Sequence, residues 1–235
     1  MIMFYAPDIE TTGKLPESDS AHCCRVLRMK EGDDITVTDG KGHRFQCRIV
    51  EAHPKHTHVE IISREDVPNH WGAPITLAVA PTKLSDRMEW MLEKVVEIGV
   101  DRVVLLRCRH SERKVIKIER LQKVMISAMK QSLKGVLPEI TEIVDFNRFV
   151  SDCRDKEGLF MGYCDSAYPR REFVKECKPG EPVTIMIGPE GDFSPEEVEL
   201  AVSAGFLPVT FGESRLRTET AALYGVTAVH IINQL

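Results

Sequence analysis

A glycine-containing loop is the segment of this sequence whose residues most clearly suggest chemistry. The apolar run 183–187 predicts a buried strand, and Gly188-Pro-Glu-Gly191 follows it directly. Glycine lets a backbone pass close to a ligand, and Ser194 is predicted to cap a helix that starts at Pro195. Open α/β sheets bind small molecules at the carboxyl ends of their strands. The loop therefore predicts a ligand site, with an ordinary strand-to-helix turn as the alternative.

Two arginines, Arg215 and Arg217, lie in a second loop of the same kind, between an apolar run and a predicted helix that Thr218 could cap. Paired guanidinium groups in a loop suit bidentate hydrogen bonds to a carbonyl, a carboxylate or a phosphate. The alternative is that they pair with Glu213 and Glu219 and so hold the loop itself. Neither loop has the glycine spacing of a dinucleotide site or the lysine of a P-loop.

Positive charge is concentrated in one part of the chain. The net charge is −5, yet the segment 102–134 carries 10 basic and 2 acidic side chains. Its densest run holds four residues that are candidates for phosphate contacts: Arg107, Arg109, Arg113 and Lys114. A local basic patch of this kind is typical of proteins that bind a polyanion such as RNA. The alternative is a solvated helix face without a partner.

The first 70 residues predict a small β-barrel. Predicted strands cover 1–6, 35–38, 45–49 and 58–63, with a hairpin turn at 39–42 and one helix over 20–30 that turns Val26, Leu27 and Met29 inward. Short strands at this spacing favour a barrel. The composition changes at 66–74, where proline, asparagine and glycine replace the periodic pattern. This change predicts a domain boundary.

Strands and helices alternate beyond the boundary. Predicted strands cover 75–80, 103–106, 159–163, 183–187 and 208–211, and predicted helices cover 84–98 and 118–133 or begin near Pro195 and Glu219. Asp86 and Glu89 are placed for a capping box, and Gly99 for a left-handed helix end. This alternation predicts an α/β fold with a parallel sheet and helices on both faces.

Several classes of protein are excluded by the composition. The 235 residues contain no apolar run of membrane-spanning length and no signal peptide. The 7 cysteines form no C-x-x-C pair, which favours reduced thiols in a cytosol. No serine lies in a nucleophile elbow. His53, His56 and His58 are expected to lie on a strand edge with no carboxylate or thiol partner nearby, so no metal site is expected.

Two segments resemble the paired signatures of a known family, the RsmE-type methyltransferases. They are Ile187-Gly-Pro-Glu-Gly-Asp-Phe-Ser194 and Leu216-Arg-Thr-Glu-Thr-Ala221. Further matches in order along the chain are His22, Val26-Leu-Arg28, Gly32-Asp33, Asp39-Gly40, Lys83, Asp86-Arg-Met-Glu-Trp90, Glu97-Ile-Gly-Val100, Gln131-Ser132 and Pro138-Glu-Ile140. The family uses S-adenosyl-L-methionine to methylate N3 of a uridine in 16S ribosomal RNA.

The resemblance implies two domains. Residues 1–70 are expected to form a PUA-like β-barrel that binds RNA, and residues 73–235 a SPOUT methyltransferase domain with a C-terminal trefoil knot. It also implies a cytoplasmic homodimer whose partner is 16S ribosomal RNA or the small ribosomal subunit. Alternatives are a related SPOUT enzyme acting on transfer RNA or on a ribose 2′-hydroxyl, and a non-catalytic RNA-binding assembly factor.

The resemblance also assigns expected roles to individual residues. Those expected to bind the cofactor are Tyr163, Gly188, Pro189, Glu190, Gly191, Phe211, Gly212, Ser214, Leu216 and Arg217. As the uridine proton leaves, Arg217 or Arg215 is expected to donate to the charge that develops on the base. Glu190 is the candidate for receiving or relaying that proton, with a role in binding backbone amides as the alternative.

RNA contacts are also expected from the first domain, through His22, Arg25 and Arg28. Two positions depart from the family pattern. Asp192 stands where the family usually has glycine, which adds a negative charge near the cationic sulfonium. Lys134 stands near the place of an arginine.

Overall fold

The computed structural model of the chain describes residues 2–113, 115–154, 156–165 and 168–235, and they form two compact units. The first unit runs to His70 and takes in Ile126–Leu137 as well; the second comprises Trp71–Met125 and Pro138–Leu235. The boundaries expected from the sequence, 1–70 and 73–235, leave 126–137 in the second domain. That segment belongs to the first unit because Gly135 carbonyl oxygen accepts hydrogen bonds from Thr38 Oγ1 and from the Gly42 amide.

A four-stranded sheet forms the centre of the first unit. Its elements are β1 (Met3–Tyr5), α1 (Ile9–Thr12), α2 (Glu17–Ala21), a π-helical turn (His22–Val26), β2 (Asp34–Thr38), β3 (His43–Glu51) and β4 (His58–Asp66). The strand order is β1-β2-β3-β4, with β1 parallel to β2 and the other pairs antiparallel. The predicted hairpin at 39–42 is confirmed. Phe45, Cys47 and Ile49 are buried in alternation with more exposed residues, the period of a half-buried strand.

The single helix predicted over 20–30 is wrong. Helix α2 ends at Ala21 and a π-helical turn follows it, which changes the face that each side chain presents. Val26, predicted to point inward, is 67% exposed, whereas Cys23 is buried. Arg28 then has a φ of 56° and stops the helical path. Leu27 and Met29 are partly buried against the core of the unit.

A shielded ion pair joins the two parts of the first unit. Lys130 Nζ lies 2.7 Å from Asp19 Oδ1, and the two side chains are 22% and 8% exposed. We expect Asp19→Ala to lower the free energy of unfolding by about 2 kcal/mol, because it removes a charged hydrogen bond and leaves the ammonium poorly solvated. Urea unfolding of the whole chain measures this. Asp8→Ala is the control, since Asp8 lies 3.9 Å from Lys41 in an exposed pair; equal losses from both variants would contradict the prediction.

A seven-stranded parallel sheet forms the second unit. Its strands are β5 (Ile75–Val79), β6 (Arg102–Arg107), β7 (Glu139–Asp145), β8 (Leu159–Gly162), β9 (Arg171–Glu172), β10 (Val183–Ile187) and β11 (Leu207–Thr210). Their order is β7-β6-β5-β10-β8-β11-β9, and each neighbouring pair is parallel. The central strands are almost wholly apolar because helices cover the sheet. The prediction of a parallel α/β sheet is confirmed.

Five helices of the second unit accompany these strands, and one more helix begins in it. They are α3 (Ser85–Ile98), α4 (Ile118–Gln131, which continues into the first unit), α5 (Phe146–Cys153), α6 (Phe173–Glu176), α7 (Pro195–Ser203) and α8 (Thr218–Ile232). No helix in the described ranges combines the length and apolarity needed to cross a bilayer. All seven cysteines are unpaired, as predicted.

The helical periodicity of α3 and its predicted extent, 84–98, are confirmed to within one residue, but the type of cap predicted at each end is wrong. Its inward residues Met88, Met91, Leu92, Val95 and Val96 are buried. Leu84 occupies the N-cap position, and its apolar side chain cannot accept a hydrogen bond. The Glu89 carboxylate pairs with Arg120 and closes no capping box. Gly99 ends the helix with φ 135° and ψ 120°, which lies outside the left-handed helical region.

Candidate active site

A large cavity lies at the carboxyl ends of three neighbouring strands, β10, β8 and β11. Its volume is about 1180 Å³, above the usual range of about 300–1,000 Å³ for small-ligand sites. All ten residues expected to bind the cofactor line it: Tyr163, Gly188, Pro189, Glu190, Gly191, Phe211, Gly212, Ser214, Leu216 and Arg217. The structure thus brings together residues from three segments of the chain. Their role in binding a cofactor remains a prediction.

The loop after β10 is held rigidly at its far end by the start of α7. Ser194 Oγ accepts from the Glu197 amide and Glu197 Oε2 accepts from the Ser194 amide, which confirms the predicted capping box. Glu197 Oε1 also accepts from the Arg109 amide at 2.8 Å. Next to this cap, a Cβ atom on Gly191 would lie 3.1 Å from His110 Cβ. Glycine at this position therefore lets His110 line the cavity.

Asp192 joins two of the loops that line the cavity. Its backbone has a φ of 61°, a left-handed conformation that aspartate and glycine adopt more readily than other residues. Its Oδ2 accepts from the Cys164 amide at 3.0 Å, and its Oδ1 accepts from the Phe193 amide at 2.9 Å. The carboxylate therefore ties the loop after β8 to the loop after β10, and backbone amides offset its negative charge.

The loop after β11 presents two arginines to the cavity. Gly212 has a φ of 117°, which requires glycine at the point where the loop leaves the strand. Arg215 and Arg217 are exposed and, among the residues that the structure describes, neither side chain has a hydrogen-bond or ion-pair partner. The alternative that they pair with Glu213 and Glu219 is wrong, because Glu219 pairs with another arginine, Arg87.

The start of α8 is fastened to the loop after β10. Thr218, predicted to cap this helix, is its first residue, and Arg217 occupies the N-cap position. The Thr218 hydroxyl donates to the Gly188 carbonyl oxygen at 3.1 Å instead. This bond holds the two glycine-containing loops together at the cavity, which the capping prediction did not foresee.

Glu190 binds a backbone amide in this structure. Its Oε1 accepts from the Lys83 amide at 3.0 Å, which agrees with the second role expected for it. The segment before α3 is held further by Arg113, which donates to the Lys83 carbonyl oxygen and to Ser85 Oγ. Glu190 and Arg113 therefore fix the segment that leads into α3. That Glu190 receives or relays the uridine proton stays a prediction.

Replacing Glu190 separates these two roles. We expect Glu190→Gln to keep the pH dependence of methyl transfer and most of its rate, because the amide oxygen still accepts from the Lys83 N–H. Glu190→Ala is expected to lower the rate about tenfold, through one lost hydrogen bond to a charged group. Rates measured from pH 6 to 10 test this. A pH profile that changes shape in Glu190→Gln would restore Glu190 as a proton acceptor.

Partial desolvation raises the pKa of two other polar groups of the cavity. It raises the pKa of the Cys164 thiol, as does the nearby Asp192 carboxylate to a smaller extent. Burial also raises the pKa of the Tyr163 phenol, with further contributions from Asp165 and Asp192. Since only the thiolate is a strong nucleophile, Cys164 is poorly suited to covalent catalysis. This agrees with the absence of a nucleophilic motif in the sequence.

The basic residues expected to contact phosphates are partly engaged within the protein. Arg107 pairs with Asp145 and Arg109 with Glu196, both in exposed pairs. Arg113 is committed to the segment before α3, and Lys114 lies outside the described residues. In the first unit His22 is half-buried, whereas Arg25 and Arg28 are exposed and have no partner among the described residues. Exposed ion pairs are weak, so Arg107 and Arg109 remain candidates.

The prediction that no carboxylate lies near the histidines is wrong. Glu51 places a carboxylate beside His56 Nδ1 at 3.7 Å and beside His58 Nε2 at 3.9 Å. One ligand atom from each of the three residues lies within 4.8 Å of the others. The end of β3 and the start of β4 meet at this point, which the sequence spacing did not reveal. That the chain needs no metal stays a prediction.

Sequence reasoning did not assign several groups that line the cavity. Arg87, His110 and Glu219 come from three separate parts of the chain. Arg87 and Glu219 lie within family-like motifs, which was the only signal available for them. His110 had none, because it is close to the cavity only through the packing of the loop after β6 against Gly191.

The parallel sheet and the cavity at its carboxyl edge define an α/β enzyme of the class that binds small molecules there. The chain belongs to a known family: residues 69–230 match the model of an RNA methyltransferase domain, and residues 15–62 match that of an RNA methyltransferase PUA domain. It is therefore an RNA methyltransferase family member with an N-terminal PUA domain.

Individual relatives agree with this assignment. A solved structure of a probable rRNA-methyltransferase from Porphyromonas gingivalis is 46% identical, with a TM-score of 0.93, and the match covers 100% of this chain and 99% of that one. A ribosomal RNA small subunit methyltransferase E from Neisseria gonorrhoeae, solved bound to S-adenosyl methionine, is 27% identical with a TM-score of 0.87 over 98% and 97% of the chains. The protein of that name from Synechocystis sp. is 28% identical over 95% of this chain and 74% of its own length.

Proposed function

We propose that this protein transfers the methyl group of S-adenosylmethionine to N3 of a uridine in 16S ribosomal RNA of the small subunit. The observation that carries the proposal is the single cavity that gathers all ten expected cofactor residues at the ends of β10, β8 and β11. Its size leaves room for a target base beside the cofactor. The names of the relatives from Synechocystis and Neisseria gonorrhoeae support the same activity.

The chemistry requires positioning and charge stabilisation. Methyl transfer from a sulfonium is an in-line displacement, so the placement of the two reactants supplies much of the acceleration. The uridine N3 must lose its proton, which passes to solvent, and the resulting charge spreads onto O2 and O4. The bond from N3 to the methyl carbon then forms as the bond from that carbon to sulfur breaks, and S-adenosylhomocysteine leaves. Arg217 is exposed in the cavity with no described partner, so its guanidinium is available to donate to that charge.

RNA binding would use both units. In the second unit, Arg107 ends β6, and the loop that follows carries Arg109 and brings His110 to the cavity. In the first unit, Arg25 lies in the π-helical turn and Arg28 just after it, and neither guanidinium has a partner among the described residues. The target base would leave its stack to enter the cavity. A protein that reads folded RNA in this way recognises shape and phosphate position.

The assembly is proposed to be a cytoplasmic homodimer with a knotted C-terminal region. Helices α3 and α8 pack on each other and expose large apolar side chains, including Trp90, Tyr224 and Ile231. Exposed apolar groups on packed helices favour a further partner, here a second copy. Strand β8 lies between β10 and β11 although it precedes both in the chain. This strand order supports the chain crossing that a knot requires.

A direct transfer assay tests the proposed function. The full-length protein is incubated with labelled S-adenosylmethionine and small subunits from a strain that lacks the enzyme, and the RNA is then analysed by mass spectrometry of its nucleosides. We expect one 3-methyluridine per subunit. A methyl group on a ribose, or transfer only to transfer RNA, would replace this assignment with a related methyltransferase. RNA binding without any transfer, and without heat on titration with S-adenosylhomocysteine, would indicate an assembly factor.

A further inference from the structure

An ion pair whose two side chains differ in exposure lies at the edge of the cavity. Arg87 Nη1, from the first turn of α3, donates to Glu219 Oε1, from the first turn of α8, at 3.0 Å. Both residues line the cavity. The Glu219 side chain is only 9% exposed, whereas that of Arg87 is 37% exposed. The carboxylate is therefore the fixed member of the pair, and the guanidinium is the member presented to the cavity.

Both helix starts that carry this pair are held in place. The residue before Glu219, Thr218, donates its hydroxyl hydrogen to the Gly188 carbonyl oxygen. The segment before Arg87 is bound by Arg113 and by Glu190, through the Lys83 backbone and Ser85 Oγ. The position of the Arg87 guanidinium is thus set by the same loop, 188–191, that is expected to hold the cofactor. Such support is what a group that positions a reactant needs.

The pairing changes what Arg87 can recognise. A guanidinium has five N–H donors, and the described contacts of Arg87 use one nitrogen, for Glu219. The carboxylate offsets the positive charge, so the pair as a whole attracts a phosphate less than Arg215 or Arg217 does. It remains a well-oriented hydrogen-bond donor. A base carbonyl oxygen, which carries no more than part of a negative charge as N3 loses its proton, is the acceptor that suits such a donor.

We propose that Arg87, oriented by Glu219, donates hydrogen bonds to the O4 carbonyl oxygen of the target base and so selects uracil against cytosine. The proposal rests on the proposed function and adds the residues that choose the base. Cytosine carries an amino donor where uracil carries O4. Its amino group and the Arg87 guanidinium would both be donors and could not form a hydrogen bond with each other. A site built to form a hydrogen bond with its substrate strongly rejects an analogue that cannot form that bond. An apolar pocket discriminates between similar substrates far less strongly. Arg87 contacts the substrate, and Glu219 is a positioning residue.

The test compares variants of the pair with a matched pair elsewhere. The variants are Arg87→Met, Arg87→Lys, Glu219→Gln and the double variant Arg87→Met with Glu219→Gln. The control is Arg171→Met, because Arg171 lies 3.3 Å from Glu176 in an Arg–Glu pair of the same unit whose residues do not line the cavity. Each protein is assayed for kcat/KM on small subunits with uridine or cytidine at the target position, and for binding of S-adenosylhomocysteine.

We expect Arg87→Met to lower kcat/KM on the uridine substrate about 10²-fold, the usual effect of removing one donor of this kind. Its preference for uridine over cytidine should shrink by a similar factor. Glu219→Gln should lower kcat/KM about tenfold, since the donor remains but is less well oriented. The double variant should be no worse than Arg87→Met, because Glu219 acts through Arg87. Cofactor binding and the control variant should be unchanged.

Other outcomes overturn the proposal. If Arg87 binds a phosphate, Arg87→Lys will retain activity. Arg87→Met will then lower the salt dependence of RNA binding by the amount expected for about one lost phosphate contact. If the pair only stabilises the fold, the melting temperature will fall while kcat/KM stays unchanged well below it. The double variant removes both charges together, so it leaves no buried carboxylate unpaired if Arg87→Met folds poorly. Wild-type protein that methylates no uridine would contradict the proposed function, which is a separate result.

Discussion

Replacing Arg217 by methionine is expected to lower kcat for methyl transfer by about 10²–10³-fold, the cost of removing a donor to a developing oxyanion. Arg217 is the N-cap residue of α8, and its carbonyl oxygen accepts from the Ala221 amide at 2.8 Å. Its backbone is therefore fixed by a helix, while its side chain has no described partner and lines the cavity. Single-turnover rates with saturating S-adenosylmethionine measure the effect apart from cofactor binding.

Arg215 provides the matched control for this prediction. It lies in the same loop, is equally without a described partner and lines the same cavity, but it is not part of a helix start. We expect Arg215→Met to have a smaller effect on kcat than Arg217→Met. The opposite order would assign the role to Arg215. Wild-type rates in both variants would show that neither arginine of this loop takes part in the chemical step.

Replacing Asp192 by alanine is expected to weaken the binding of S-adenosylhomocysteine about tenfold, or about 1.4 kcal/mol. The change removes the acceptor of the Cys164 and Phe193 amides, so the loops after β8 and β10 lose their link. It also leaves alanine at a φ of 61°, which costs about 1 kcal/mol. Calorimetric titration measures the affinity, and urea unfolding measures the stability.

Two further variants separate the possible causes. Asp192→Gly is expected to be more stable than Asp192→Ala but to bind the ligand as weakly, because glycine adopts this φ readily and still supplies no acceptor. Glu213→Ala removes a negative charge from the cavity lining without breaking a described contact, and it should leave binding unchanged. If Glu213→Ala alters binding as much as Asp192→Ala does, charge rather than the link between the loops is the cause.

The sequence predicted much of the frame that carries the site. Apolar runs such as Val183–Ile187 mark strands buried on both faces, and the 3.6-residue period of α3 marks its buried face. Loops that follow neighbouring parallel strands meet at one edge, so residues near Tyr163, Gly188 and Gly212 could be assigned to one site in advance. The resemblance to a family supplied the choice of those three loops.

The remaining features depend on contacts between distant parts of the chain. Arg87 and Glu219 are 132 positions apart, and their pairing follows from the packing of α3 on α8. The link made by Asp192 depends on β8 lying next to β10. The irregular turn at His22–Val26 also escaped prediction, since a π-helical turn of 5 residues is too short to show a period in hydrophobicity.

The first unit is discontinuous in sequence, with one helix, α4, shared by both units. A truncated chain that ends at His70 would lack Lys130, which neutralises Asp19, and Gly135, which accepts from Thr38. We therefore expect such a fragment to be degraded or to aggregate when it is expressed alone. Between residues 70 and 126 the chain runs through the second unit. Excision or exchange of this PUA domain therefore requires the transfer of two separate stretches of polypeptide.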